Sequence, residues 1–305
     1  TKPKQLERQH STGSSKAVAQ GPRGDKRQLV GHVLIVEDNP VNLAVVRKML
    51  QRFGLTCDTA KDGLECLEAI KTMQYDLVLM DIQMPNMDGR QATRKIRERE
   101  QQFGLTRMPV LAITANVMGD DRAKCIQAGM DDYIAKPVKP TDLNNLLQQW
   151  LPMQETVISQ GRTAPRVASV VSSMGANNAL ANVEANTSEE LLALDKNVLG
   201  ELFDIMEDEA VRLLQDYINN VPEIFKNIDL AIREGAANNL VLPAHSLKSS
   251  SANVGATRVS ALAKQLEFMA KENKMDAAAV CWQSMKIAYA QAERELIAII
   301  KKGGL

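Results

Sequence analysis

At 305 residues, with roughly 150 residues per domain as the prior, the chain has room for about two domains plus linker. Its hydrophobic content of 45% is ordinary, and no stretch approaches the roughly 18 to 20 uninterrupted apolar residues of a membrane-spanning helix, so no direct membrane contact is expected of this segment. The 37 basic and 37 acidic residues cancel, and from residue 187 onward 13 basic face 17 acidic groups, a balance that argues against a C-terminal nucleic-acid-binding domain with its basic stripe.

Residues 1–29 are rich in Gln, Ser, Gly and Lys, carry seven Lys/Arg against two Asp/Glu, and hold no aromatic residue. Such a segment cannot bury enough surface to offset the entropy of ordering and is expected to be a tether, with His10 inside it. It lacks an apolar run with basic flanks, so no secretory signal is visible, and a chain opening at Thr1 is expected to be a fragment of something longer. Cys57, Cys66, Cys125 and Cys281 form no C-x-x-C pair and no His/Cys cluster, which argues against a zinc site or a disulfide framework and fits a reducing cytoplasm.

Residues 30–152 alternate short apolar runs with amphipathic helical spacing. Strands are expected at His32–Val36, Thr56–Ala60, Leu77–Met80, Pro109–Ile113 and Asp132–Ala135, and helices at 41–53, 62–73, 88–102, 118–128 and 141–150. Five β/α units in succession imply a doubly wound parallel five-stranded sheet, whose ligands sit beyond the carboxyl ends of the strands. Residues 153–186, with few charges and no aromatics, read as a second flexible linker spanning about 30 Å, short enough to let the flanking domains touch. From 187 to 302 the spacing is helical only, with helices expected at Asp195–Phe203, Glu207–Glu234, Leu240–Val254, Thr257–Lys271 and Asp276–Lys301, an antiparallel all-α bundle.

The first strand runs into Glu37 and Asp38, and the third ends on Asp81, so three carboxylates converge at one rim. Crowding them raises their pKa values unless a hard cation takes the oxygens, and the cluster reads as a Mg2+ site. The fourth strand ends at Thr114 and the fifth at Lys136, bringing a hydroxyl and a fixed positive charge to the same rim. A cation, a lysine and a hydroxyl are what the equatorial oxygens of a transferring phosphoryl group need, with Asp81 as nucleophile.

Glu37-Asp38, Asp81, Met84-Pro-Asn-Met-Asp-Gly89, Thr114-Ala115 and Lys136-Pro137 closely resemble the receiver domains of two-component signalling, in order and over this whole region. The resemblance implies that Asp81 accepts the phosphoryl group. It also implies that Asp38, Asp81 and the backbone carbonyl of Gln83 bind Mg2+, with Glu37 acting through a water. Thr114 would donate to the phosphoryl group, Lys136 would pair with it, and the Lys136-Pro137 bond would be cis. Tyr133 is either the family's switch aromatic or a ring at the core edge, and Gly89 is expected to cap a turn.

In the second domain, Leu240, Ala244, Leu247, Ser251 and Val254 fall within about 80° of helical arc and form a core stripe. His245 lies about 140° from its origin, so its imidazole is expected to project outward among small side chains, with Lys248 one turn away. This setting resembles a histidine phosphotransfer domain, whose motif is approximately His-x-x-Lys-Gly; Ser249 stands where that family usually has glycine. The resemblance implies that His245 takes the phosphoryl group from Asp81 and passes it on, with Lys248 offsetting its charge. No G-x-x-x-x-G-K-[ST] loop and no kinase ATP-binding domain is visible, so phosphate must come from elsewhere.

The expected whole is the C-terminal receiver and phosphotransfer portion of a hybrid sensor histidine kinase. Its partners would be an upstream histidine kinase domain and a downstream response regulator, in the cytoplasm, with a parent that could be membrane-anchored. The alternative is a docking module switched by phosphorylation of Asp81, with His245 as phosphate sink.

Overall fold

A computed structural model describes residues 28–115, 120–154 and 193–305. The expected tether up to residue 27, the linker from 155 to 186, the helix start at 118 and the bundle start at 187 lie outside the described residues.

The first unit comprises β1 (Gln28–Leu29), β2 (His32–Val36), α1 (Pro40–Arg52), β3 (Thr56–Ala60), α2 (Gly63–Thr72), β4 (Leu77–Asp81), α3 (Gly89–Phe103), β5 (Val110–Thr114), α4 (Asp120–Gln127), β6 (Asp132–Ala135), α5 (Pro140–Trp150) and β7 (Met153–Gln154). Strands β3-β2-β4-β5-β6 form one parallel sheet in that order. Alternation along each strand divides the core in two. Val33, Ile35, Leu77, Leu79, Leu111 and Ile113 face α1 and α5, whereas Leu34, Val36, Val78, Met80, Val110 and Ala112 face α2, α3 and α4. Burying each of the Val, Leu, Ile and Met side chains contributes about 1.5–3 kcal/mol, so both faces of the sheet are committed to the core and its register cannot slip. Gln28–Leu29 pair antiparallel with Met153–Gln154, closing the unit with residues whose composition predicts linker.

The chain leaves β2 for β3 on one side of the sheet and for β4 on the other. The carboxyl ends of β2 and β4 therefore flank the switch in strand order, where Glu37, Asp38 and Asp81 sit. Gly89 follows the N-cap Asp88 of α3, and a Cβ there would come 2.1 Å from the Asp81 carbonyl oxygen. Its role is thus close approach of α3 to the end of β4 rather than the turn cap its sequence position predicts.

The second unit is helical: α6 (Lys196–Met206), a 3-10 turn (Glu207–Glu209), α7 (Ala210–Arg233), α8 (Ala237–Asn253), α9 (Thr257–Lys271) and α10 (Met275–Lys302). The stripe Leu240, Ala244, Leu247, Ser251 and Val254 is fully buried, and the Ser251 hydroxyl is satisfied by Tyr217 Oη at 2.8 Å. Gly255 ends α8 at φ 72°, and its carbonyl accepts the Asp195 N–H at 2.7 Å, joining the foot of α8 to the start of α6. No helix among the described residues is long and apolar enough to cross a membrane.

The two units are docked. Helix α1 packs against α6, α7 and α8, and the buried residues on its side of the sheet are continuous with those of the bundle. This contact puts the switch-point rim against α8.

Candidate functional site

Asp81 ends β4 at 1% exposure and Glu37 follows β2 at 1%, with Asp38 part-buried beside them; their carboxylate oxygens all lie within 4.8 Å of one another. Lys136, delivered by β6, donates to Asp81 Oδ2 at 2.7 Å and to Glu37 Oε2 at 2.7 Å. Three carboxylates share one ammonium, and the charge balance decides the protonation. Burial opposes the charge on Lys136, yet Asp81 and Glu37 together hold its pKa above the ordinary lysine value. Burial and then the Asp81 charge push Asp38 from 3.8 to about 6. Burial also raises Asp81, against the opposing pull of Lys136.

The remaining residues singled out by sequence surround this pocket. The Gln83 N–H donates to Asp81 Oδ1 at 3.3 Å, while Gln83 Oε1 is buried without a hydrogen-bond partner among the described residues. Thr114 is buried at the end of β5, and its carbonyl accepts the Lys136 N–H at 2.7 Å. The Lys136-Pro137 bond is cis. Tyr133 is part-buried on β6 against the α2, α3 and α4 side of the core, with the Arg122 guanidinium 5.3 Å from its ring centroid.

His245 departs from expectation. Its imidazole points away from the core stripe of its own bundle, but it is 4% exposed rather than open to solvent. The helical wheel places a side chain relative to its own domain, and here the receiver-like rim lies over that outward face. Its neighbours on α8 are bonded across the contact: Asn39 Nδ2 donates to Ser246 Oγ at 2.7 Å and Asn42 Nδ2 to Ser249 Oγ at 3.0 Å. The Asp81 carboxylate is near enough to oppose the lowering of the His245 pKa. Burial, the largest influence, holds that pKa below the ordinary histidine value, so the ring is neutral at pH 7.

Its tautomer follows from its partner. Nδ1 lies 3.3 Å from Glu267 Oε1, and burial pulls Glu267 upward less than His245 and Lys248 pull it down, so Glu267 is a carboxylate. A carboxylate only accepts, so Nδ1 carries the proton and the lone pair is on Nε2. Nε2 is buried and has no hydrogen-bond partner among the described residues. Lys248 lies on the Nδ1 side, 3.4 Å from Nδ1, and donates to Glu267 Oε2 at 2.5 Å, while Lys271 donates to Oε1 at 2.5 Å. Glu267 is absent from the sequence reading, as are Asn39, Asn42, Ser246 and Asn253. An acidic residue on α9 carries no local signal linking it to a histidine on α8. Asn39 and Asn42 look like ordinary helix-start residues, and Asn39 does cap α1 through Val41 N–H at 3.0 Å.

Residues 33–148 match the response regulator receiver domain family, and residues 212–295 match the Hpt domain family. The chain therefore carries a receiver domain followed by an Hpt domain, the modules of a two-component phosphorelay. Histidine kinases are among its curated relatives. Hybrid signal transduction histidine kinase L of Dictyostelium discoideum is 42% identical over 138 residues, covering 44% of this chain and 8% of that protein. Signal transduction histidine-protein kinase BarA of Shigella flexneri is 31% identical over 246 residues, 81% of this chain and 24% of that protein. The chain thus spans a minor part of the length of these relatives. Among solved structures, the receiver domain of sensor histidine kinase PA1611 from Pseudomonas aeruginosa, with a magnesium ion coordinated in its active site cleft, is 42% identical. That match covers 39% of this chain and 96% of the other, at a TM-score of 0.36.

Proposed function

We propose that the chain relays a phosphoryl group. Asp81 takes it from the phosphohistidine of an upstream histidine kinase domain and passes it to His245 of the same chain. His245 then hands it to the receiver of a downstream response regulator. Residues 30–152 serve as the receiver and 187–302 as the phosphotransfer domain, in the cytoplasm. The observation that carries this reading is the Nε2 of a neutral, buried His245, which has no hydrogen-bond partner among the described residues and is enclosed against the carboxylate rim of Asp81.

In the transfer, the Nε2 lone pair forms the N–P bond as the P–O bond to the Asp81 carboxylate breaks, and that electron pair stays on the carboxylate oxygen. The ring then carries positive charge with its proton still on Nδ1, facing the Glu267 carboxylate at 3.3 Å. Lys248 and Lys271 hold Glu267 in place, so the charge-compensating group is positioned before the reaction begins. Lys136 is released from Asp81 Oδ2 to pair with the phosphoryl group, Thr114 donates its hydroxyl to it, and Tyr133 is the aromatic whose packing reports its presence.

The acidic cluster fits a hard divalent cation: three oxygen donors lie within 4.8 Å of one another, served by one lysine, and burial together with the Asp81 charge pushes Asp38 up to about 6. Mg2+ would be held by Asp38, Asp81 and the Gln83 main-chain carbonyl, with Glu37 through a water. It would supply positive charge against the phosphoryl oxygens.

The test is labelling of the purified chain with acetyl phosphate and Mg2+ in wild type, Asp81→Asn and His245→Gln. Acid-labile, base-stable label at His245 that vanishes in Asp81→Asn is the expected result. Label that stops at Asp81 in the wild type would replace the relay by the phosphorylation-switched docking module.

A further inference from the structure

The contact between α1 and α8 is polar where it flanks His245, and its hydrogen bonds have a direction. The Ser249 hydroxyl has one proton, and it is spent inside α8, on the carbonyls of Ser246 at 3.2 Å and His245 at 3.3 Å. With its proton so placed, Ser249 accepts on the receiver side, where Asn42 Nδ2 donates to it at 3.0 Å. The same amide nitrogen donates to Glu37 Oε1 at 2.8 Å, and Asn42 Oδ1 accepts from Asn253 Nδ2 at 2.8 Å. Asn39 divides its amide in the same way: Oδ1 caps α1 and Nδ2 donates to Ser246 Oγ at 2.7 Å. Asn39, Asn42 and Ser249 are each at most 4% exposed, so a mismatched partner there would be left unsatisfied away from water.

We propose that Ser249 is a specificity-determining residue: its hydroxyl, standing where the phosphotransfer motif usually has glycine, is the acceptor that selects a receiver presenting an amide donor at the position of Asn42. Glycine would leave Asn42 with one bond fewer and accept any small neighbour. Serine offers the amide an acceptor already oriented by the helix carbonyls that take its proton. Since Asn42 also holds Glu37, this choice of partner is tied to the acidic pocket itself. The inference deepens the relay reading and rests on it for its consequence in transfer.

The test uses the full chain as wild type, Ser249→Ala, Ser249→Gly, Asn42→Ala and the Ser249→Ala/Asn42→Ala double variant. Two quantities are read: hydrogen-exchange protection of peptides covering α1 and α8, and the rate at which label moves from Asp81 to His245 after a pulse of acetyl phosphate. Loss of one buried acceptor corresponds to about a fivefold loss of docked-state protection in Ser249→Ala, with a slower transfer. The double variant should lose no more than Asn42→Ala alone, because the bond is already gone. Alanine also favours a helix interior over serine, so thermal stability should hold or rise while docking weakens, the opposite of a purely structural defect. Protection and transfer at wild-type levels in both Ser249→Ala and Ser249→Gly would overturn the inference and leave the relay standing. Loss of protection in Ser249→Ala with no transfer even in wild type would support the docking inference and overturn the relay.

Discussion

Replacing Asp38 by asparagine is expected to stabilise this protein when no divalent ion is present. Asp38 shares its pocket with Asp81 and Glu37, and its pKa stands at about 6 against an ordinary 3.8. At about 1.4 kcal/mol per unit, the ionised carboxylate costs the folded state about 3 kcal/mol at most above pH 6. The sign follows from linkage: the folded pKa is raised, so the penalty is full above the folded value, shrinks as pH falls from about 6 toward 4, and vanishes once both states are protonated. Urea unfolding in EDTA should therefore show Asp38→Asn more stable than wild type near pH 8, by an amount that closes as the pH approaches 4. Added Mg2+ should stabilise the wild type by mass action and the variant much less. An Asp38→Asn protein no more stable than wild type at pH 8, or an advantage that does not shrink in acid, would refute the charge-crowding argument.

Lys136→Met leaves Glu37 and Asp81 buried beside each other without their ammonium. Urea denaturation at neutral pH should register a loss of about 3–5 kcal/mol, the cost of leaving buried charge without its partner. Glu267→Gln keeps an acceptor for Nδ1 of His245 but removes its charge, so rapid-quench assays should show transfer from Asp81 slowed about tenfold. Burial depresses the His245 pKa and the Glu267 carboxylate opposes it. The acid-side fall in transfer rate, which marks protonation of the ring, should accordingly move to lower pH in this variant. Gly89→Ala forces a Cβ to within 2.1 Å of the Asp81 carbonyl oxygen; thermal unfolding and Asp81 labelling should show a loss of about 2 kcal/mol together with slower phosphorylation.

The sheet was legible because its central strands are buried on both faces and read as short apolar runs, such as Val33 to Val36 and Leu77 to Met80, separated by helical spacing. The acidic rim was legible for a related reason: in a doubly wound sheet, whatever follows the central strands converges, so Glu37, Asp38 and Asp81 could be grouped from strand ends alone. The direction of His245 was legible from the core stripe of α8. Its burial was not, since a helical periodicity reports the face a residue occupies and is silent about another domain resting on that face. Glu267 and Asn42 escaped for the same reason. Each acts across tertiary space, on a partner in another helix, and neither residue type is unusual at its own position. Ser249 stood out only as a departure from a motif, and its proton commitment within α8 gives that departure a chemical meaning.

The central claim is that Asp81 serves His245 of its own chain, because the two are enclosed in one docked contact. Rapid-quench measurement of label arriving at His245 across a wide dilution series tests it most directly. The account predicts a first-order rate that does not change with protein concentration and no label at His245 when Asp81→Asn chains are labelled alone. A rate that falls in proportion to dilution would place the donor aspartate on another chain and contradict the account.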